Sequence, residues 1–259
     1  MIELKTSYSL SGIPYITYDA LDEYAETVVA DFAPELLRTP GILNVEKFLE
    51  YYLGLSIRYC QINYDRKILG MTAFNDGLVQ VINEETGLPE SIYVTKGTVI
   101  FDTSLALKRS KPRLSFTGMH EGTHWMIHPR AFAEDNPFGL VGAHEHRYLA
   151  AKEGNADYSR SMQERTDIEL MERQADFLSS AMLIPRSTLR IVCLEYFRFY
   201  GEKPHRIVKG AGNPMDDCFA AQLPEYVAGI FGVSKGAAQI RLEKLGEIVD
   251  KTRWRRARL

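Results

Sequence analysis

The residues HEGTH at positions 120–124 restrict the fold of this chain more than any other feature of its sequence. Pro112 suits the first turn of a helix and Pro129 ends one, so the two prolines predict a helix over about 113–128. Residues four apart share one face of a helix, so both histidine rings can point at a single ion. Glu121 lies beside them, within reach of a water molecule on that ion. The chain must therefore build its fold around a helix that carries two potential ligands and a carboxylate.

The residues around this motif are apolar, which indicates a buried helix. Leu114, Phe116 and Met119 precede the motif, and Trp125 and Ile127 follow it. Burying two imidazoles and a carboxylate costs free energy unless a partner satisfies them. Two neutral imidazoles, one further ligand and an open position for water suit Zn²⁺, and we expect zinc here. The alternatives are histidines satisfied by other core groups, or manganese or iron, which a His-His-Glu site also accepts.

The third ligand must come from another element, and a predicted helix over about 161–183 offers it. Glu172 and Asp176 are one turn apart on that helix, in largely apolar surroundings. Carboxylates are rarely buried without a partner. We therefore expect Glu172 to complete a His-His-Glu site, and Asp176 to accept the free ring N–H of a ligating histidine. Glu169, one turn earlier, is the alternative ligand, and a solvated ion pair between Glu172 and a neighbouring arginine is the alternative that needs no metal.

Three further histidines need a separate interpretation. His128 continues the row of ligand histidines but lies about 12 Å along the helix axis from the first of them, too far to bind the same ion. We expect it to make a contact at the end of the helix. His144 and His146 fall in a predicted loop and are typical of surface residues. The alternative is that one of them, or Tyr148, donates a hydrogen bond to the reacting carbonyl oxygen, on which negative charge develops.

The spacing of apolar residues changes from helical to strand-like before the HEGTH helix. A helix over about 20–33, capped by Asp19, and a second helix that follows Asn44 and stops near Gly54 come first. Short segments rich in β-branched and aromatic residues follow, and they predict a small, largely antiparallel sheet. These segments are 56–63, 68–74, 78–83, 91–95 and 98–102.

The second half of the chain is predicted to be mainly helical. After a long loop over 130–160, a capping box at Ser161–Glu164 opens the next helix. Two or three more helices are expected over 186–250. A glycine- and proline-containing stretch then suggests a division into residues 1–200 and 201–259.

Composition excludes several classes of protein. The chain has 259 residues, of which 45% are hydrophobic and 25% are charged, values typical of a globular rather than a disordered protein. Three cysteines without a CxxC pair predict a reducing compartment, and no apolar run approaches the roughly 18 residues that a membrane span needs. The N-terminal sequence has no apolar signal core. We therefore expect a cytoplasmic protein that does not contact a membrane.

The C-terminal region contains a pattern typical of a helix-turn-helix. Within 225–246, a small residue, a turn glycine and a core apolar residue stand at the expected spacing, at Ala228, Gly232 and Val233. Compact packing of helices explains this pattern, and we favour that interpretation. DNA contact is the alternative, through Lys235, Gln239 and Arg241 and through five basic residues among the last nine. The net charge is −3, and it is −8 for residues 1–250 without the five basic residues of the tail. This acidic body argues against general binding of nucleic acid, so that partner is not favoured.

Two spaced segments resemble the ImmA/IrrE-type metallo-endopeptidases. FTGMHEGTHWMIHP at 116–129 contains the HExxH, and ERQADFLSSAMLIP at 172–185 is similar to the family's E-x-x-A-N-x-F-A-x-x-L-L-M-P pattern. The departures include Asp176, Leu178 and Ile184, where the family has Asn, Phe and Met. GTVIFD at 97–102 is similar to the family's strand before the catalytic helix.

The resemblance implies a fold, a ligand set and an activity. The fold is a minimal zincin core, in which a small sheet packs on two metal-bearing helices. His120, His124 and Glu172 are implied as the zinc ligands and Glu121 as the catalytic acid/base. Characterised relatives cleave transcriptional repressors and so relieve repression.

These observations together predict an α+β fold with a zincin-like core, a small mixed or antiparallel sheet and a helical C-terminal region. The predicted function is a zinc-dependent endopeptidase that acts on a protein or peptide substrate, which the resemblance suggests is a repressor. The strand near Val99–Phe101 is expected to align an extended substrate by edge pairing. The alternative is a DNA-binding or partner-binding regulator that uses the helix-turn-helix-like segment and keeps the metal site as a sensor.

Overall fold

The chain folds into a mixed α+β structure, which a computed structural model describes for residues 2–107, 110–133, 148–152 (backbone only) and 167–251. The helices are α1 (Tyr18–Phe32), α2 (Val45–Lys47), α3 (Lys111–Ile127), α4 (Asp167–Leu183), α5 (Arg186–Phe199), α6 (Pro214–Phe231) and α7 (Lys235–Lys244). The strands are β1 (Ser56–Cys60), β2 (Ile68–Ala73), β3 (Gly77–Ile82), β4 (Pro89–Val94), β5 (Thr98–Asp102), β6 (Tyr148–Lys152), β7 (Ile207–Lys209) and β8 (Ile248–Asp250). A π-helical segment, Phe48–Tyr52, continues α2.

Side-chain caps begin the first two helices. Thr17, and not the predicted Asp19, caps α1, since its hydroxyl accepts a hydrogen bond from the backbone N–H of Ala20 at 3.2 Å. Asp19 instead lies in the first turn, where a carboxylate interacts favourably with the helix dipole. The helix predicted to follow Asn44 is confirmed as α2 and its π-helical continuation, and the Asn44 side-chain oxygen caps it by accepting from the N–H of Lys47 at 3.0 Å.

The five predicted strands are present, but they do not form one antiparallel sheet. A four-stranded sheet has the order β1-β5-β2-β6, in which β1 and β5 are parallel and the other neighbours antiparallel. β3 and β4 form a separate hairpin. β6 lies inside the segment predicted as a loop. Because β5 is paired on both sides, the prediction that Val99–Phe101 offers an edge to a substrate is wrong.

Each face of β5 packs on a different layer, which explains why the whole strand is buried. Val99 and Phe101 join the main apolar core with the helices, whereas Ile100 packs into a smaller cluster with Val79 and Val81 of the hairpin. The alternation follows from the two-residue period of a strand. The sheet therefore lies between the hairpin on one face and α3 with the other core helices on the opposite face.

The predicted C-terminal helices are confirmed as α5, α6 and α7, whereas the short parallel pair β7 and β8 was not predicted. Leu21 of α1, Phe197 of α5, Phe219 of α6 and Leu242 of α7 belong to one apolar cluster. The main core therefore continues across residues 201–215.

Among the described residues, no single helix is long and apolar enough to cross a membrane. Only α4 and α5 taken together, with a bend of 56° between them, meet that test by length and composition, and buried core helices meet it as well.

Candidate metal centre

α3 carries the HEGTH residues in its buried half. His120 is 4% exposed, and Glu121 and His124 are fully buried. The helix extends from Lys111 to Ile127, two residues earlier at its start than predicted. It packs closely because two of its residues are glycines. A Cβ added at Gly118 or Gly122 would lie 2.8 Å from a side-chain carbon of the 45–53 segment.

α4 brings a carboxylate to the two histidines. Glu172 Oε2 lies 3.2 Å from His120 Nε2, and Glu172 Oε1 lies 3.6 Å from His124 Nε2. The two Nε2 atoms are 3.0 Å apart. One ligand atom from each of the three residues lies within 4.8 Å of the others. The structure therefore brings together the three residues that the sequence predicted as ligands.

Asp176 lies where the sequence placed it, against the other nitrogen of His120. Its Oδ1 is 3.0 Å from His120 Nδ1, so the ring donates Nδ1–H to the carboxylate and turns Nε2 toward Glu172. Burial opposes a charge on this ring, but the Asp176 and Glu172 carboxylates outweigh it and hold the pKa of His120 well above its usual value. A bound cation would replace that proton, because a ligating imidazole must be neutral.

His124 of α3, and His128 directly after the helix, are kept neutral. Burial, followed by the nearby His120 and His128 rings, lowers the pKa of His124 well below its usual value. Burial also lowers the pKa of His128 to about 4. His128 does not join the ligand cluster, as expected from its distance along the helix. It instead contacts His124, with 2.9 Å between the two Nδ1 atoms, which the sequence reasoning did not foresee although i and i+4 residues are neighbours on a helix.

Strand β2 positions Glu121. Gly70 and Thr72 are two residues apart and so share one face of the strand, which lies against α3. The Thr72 hydroxyl donates to Glu121 Oε2 at 2.7 Å. A Cβ added at Gly70 would lie 3.0 Å from Glu121 Cγ and 3.1 Å from Oε1. Neither residue was predicted, although a lone glycine inside a strand is a known signal of close approach.

The remaining candidates lie elsewhere. Glu169, the alternative ligand, is exposed and outside the ligand cluster. His144, His146 and the Ser161–Glu164 capping box lie outside the described residues. Only the backbone of Tyr148 is described, in β6, so its predicted role as a donor has no side-chain geometry behind it.

A three-residue turn joins α6 to α7 where the sequence predicted a helix-turn-helix pattern. Gly232 ends α6 in the left-handed conformation with φ of 67°, and Ala228 and Val233 are buried at the turn. Arg241, however, is 1% exposed, forms an ion pair with Asp22 of α1 and donates to the carbonyl of Ile184. The expectation that Arg241 could contact DNA is therefore wrong. Burial is the main influence on Arg241 and lowers its pKa despite the neighbouring Asp22.

No family model, curated protein or solved structure matched the chain in comparisons with known proteins. The case for a metal thus depends on the donor set. Two buried imidazole nitrogens and one carboxylate oxygen from a second helix are the ligand types of catalytic His₂Glu zinc sites. The residues present fit a divalent cation of this kind.

Proposed function

We propose that this chain is a zinc-dependent endopeptidase with a zincin-like core. The observation that carries the proposal is the convergence of donor atoms from His120, His124 and Glu172 within 4.8 Å. An HExxH sequence alone arises by chance, but a carboxylate from a second helix placed against both histidines is a more specific arrangement. Two α4 residues, Glu172 and Asp176, contact the histidines of this one cluster. This arrangement supports a metal site over histidines that are buried for packing alone.

The chemistry proposed divides between the ion and the chain. Zn²⁺ in such a site supplies a Lewis acid for the scissile carbonyl and lowers the pKa of water toward about 7. His120, His124 and Glu172 would hold the ion. Glu121 takes the proton of the attacking water and returns it to the leaving amine. Thr72 restrains Glu121 through the 2.7 Å hydrogen bond to Oε2, so that the other carboxylate oxygen has a defined position.

The resemblance to ImmA/IrrE-type peptidases extends the proposal to the substrate and the setting. On that basis we propose a protein substrate, a transcriptional repressor, within the cytoplasm. The regulator alternative has lost one of the three α7 residues proposed to contact DNA, since Arg241 is buried against Asp22.

Metal content is the first test. Protein purified without added metal is loaded with zinc, dialysed and measured by plasma mass spectrometry. We expect about one zinc per chain, and a sharp loss in Glu172→Ala because one of three protein ligands is missing. Glu169→Ala is the matched control, since it removes an exposed glutamate one turn earlier on the same helix. A parent protein that holds no zinc, or an equal loss in both variants, would overturn the proposal.

Turnover is the second test. Zinc-loaded parent and Glu121→Gln are incubated with fluorescein-labelled casein and with a mixture of quenched fluorescent peptides. Removing a general base costs about 10²–10⁴-fold in rate, so Glu121→Gln should retain zinc but lose cleavage by at least about 10²-fold. Equal rates for the two proteins would show that Glu121 has no part in the reaction.

A further inference from the structure

A chain of hydrogen bonds leads away from the ligand His124 to the N-terminal segment. His124 Nδ1 lies 2.9 Å from His128 Nδ1, and His128 Nε2 lies 2.9 Å from Gln174 Oε1. The Gln174 amide nitrogen donates to the carbonyl oxygen of Pro14 at 2.8 Å. His124 and His128 are fully buried, and Gln174 is 3% exposed. All three side chains are therefore shielded from water that could supply other partners.

The Pro14 carbonyl, at the far end of this series of hydrogen bonds, determines which atom donates in each of them. The Pro14 carbonyl can only accept, so the Gln174 amide must turn its NH₂ toward Pro14 and its oxygen toward His128. That oxygen also can only accept, so Nε2 of His128 carries a hydrogen. A neutral imidazole has one N–H, which leaves Nδ1 of His128 as an acceptor. His124 must therefore donate from its own Nδ1, and its Nε2 is left with a lone pair.

We propose that His128, Gln174 and the Pro14 carbonyl form a relay that holds His124 in the tautomer whose Nε2 can bind a metal. His128 and Gln174 are positioning residues in this proposal, because they act through His124 and do not touch the ion. The inference rests on the proposed metal site. It gives His124 a support equivalent to the one that Asp176 gives His120, and both supports depend on α4.

The carbonyl at the end of the relay is held firmly in place. The N-terminal segment packs against the turn that follows α3, where Gly12 adopts φ of +85°. A Cβ at Gly12 would lie 2.5 Å from the backbone of Arg130, so the two segments touch. Ile13 is 1% exposed and packs with Phe132 and Met171. Pro14 follows directly, and its carbonyl is therefore fixed relative to α3 and α4.

Variants that cut the relay without removing a ligand provide the test. Gln174→Met keeps the side-chain length but lacks the acceptor, and His128→Phe keeps a ring but lacks both nitrogens. Losing an outer partner of a ligating histidine lowers metal affinity by about 10–100-fold, so both variants should bind zinc that much more weakly in competition with a chromophoric chelator. His128→Asn places an oxygen near the former Nδ1, accepts from His124 and should recover most of the affinity.

Ser179→Ala is the control for a merely structural effect. It removes the buried Thr123–Ser179 hydrogen bond, 3.1 Å long, from the same contact between α3 and α4 without touching a histidine. Nitrogen NMR of ¹⁵N-histidine-labelled, metal-free protein shows which ring nitrogen carries the hydrogen, and a loss of stability alone would not change that result. In the parent, the hydrogen of His124 should reside on Nδ1 and that of His128 on Nε2.

The outcomes separate this inference from the function it rests on. Parent protein that binds zinc, together with relay variants that bind it as tightly as Ser179→Ala does, would overturn the relay alone. A parent His124 with its hydrogen on Nε2 would also overturn it. Parent protein that binds no zinc would overturn the proposed function, and the relay with it.

Discussion

Gly70→Ala should destabilise the protein although it adds a single methyl group. The new Cβ would lie 2.6 Å from Thr117 Cγ2 and 3.0 Å from Glu121 Cγ. Carbon atoms in contact are normally about 3.5–4.0 Å apart, so the two elements would have to separate by about 1 Å at Thr117. Thr117 is β-branched and buried within α3, so relief requires either a change of its χ1 rotamer or a shift of the helix.

Neither element can move without loss. β2 is hydrogen-bonded on both sides, to β5 and to β6. Val45 and Leu49 pack closely on the other side of α3. An added Cβ at Gly118 would lie 2.8 Å from Val45, and one at Gly122 would lie 2.8 Å from Leu49. Overpacking of this kind costs about 1–3 kcal/mol, and we expect the free energy of unfolding in urea to fall by that amount. A displacement of Glu121 by about 1 Å should also lower the cleavage rate by about 10²-fold.

Gly229→Ala is the matched control, because Gly229 is an exposed residue inside α6 with nothing within 4 Å of an added Cβ. It should stabilise the protein by about 0.5–1 kcal/mol, through the lower backbone entropy of alanine in the unfolded chain. Thr117→Ala removes the methyl group in the way and should recover part of the loss when combined with Gly70→Ala. A Gly70→Ala protein as stable as Gly229→Ala would refute the argument for a close contact between β2 and Glu121.

Two further predictions concern charges outside the metal centre. Asp22→Ala leaves the buried Arg241 guanidinium without its carboxylate and should lower the free energy of unfolding in urea by about 3–5 kcal/mol, whereas Asp22→Leu with Arg241→Met should restore most of it. A double variant as unstable as Asp22→Ala would contradict this. The pKa of His205 is raised, mainly by the Lys203 carbonyl and next by the Asp216 carboxylate. Protonation of His205 therefore stabilises the fold fully below about pH 6.5, and this contribution is lost as the pH rises through the raised pKa. The difference in free energy of unfolding between parent and His205→Asn should therefore be larger at pH 5.5 than at pH 8.5. It should stay under about 1 kcal/mol, because the ring is exposed. The reverse order would show that the pKa is not raised.

The parts of the site that could be predicted are those encoded by spacing within one element. His120 and His124 share a face because they are four residues apart, and Glu172 and Asp176 share one for the same reason. The five strands before α3 also follow from short-range composition and turn residues. Each of these signals lies within a few residues of sequence, and the structure places each where the spacing indicated.

The contacts that support the ligands could not be predicted in this way. Thr72 meets Glu121 only because β2 lies beside α3, and Gln174 reaches Pro14 across 160 residues of sequence. Arg241 shows the same limit through a predicted contact that the structure does not support. A basic residue on the second helix of a helix-turn-helix pattern is typical of DNA contact, and nothing near it in sequence reveals that α1 and the end of α4 cover it. Such pairs depend on topology, which local patterns do not determine.

The position of Arg241 also indicates what the C-terminal helices contribute to the proposed metal centre. Its guanidinium joins α7 to α1 through Asp22 and to the residue after α4 through the carbonyl of Ile184. α4 in turn carries Glu172, Asp176, which contacts His120, and Gln174, which contacts His128. A shift of α4 by a fraction of an ångström would therefore reach Glu172, Asp176 and Gln174 at once, because all three belong to one helix. Close packing of α7 on α4 thus gives the helix-turn-helix-like segment a structural role that requires no nucleic acid.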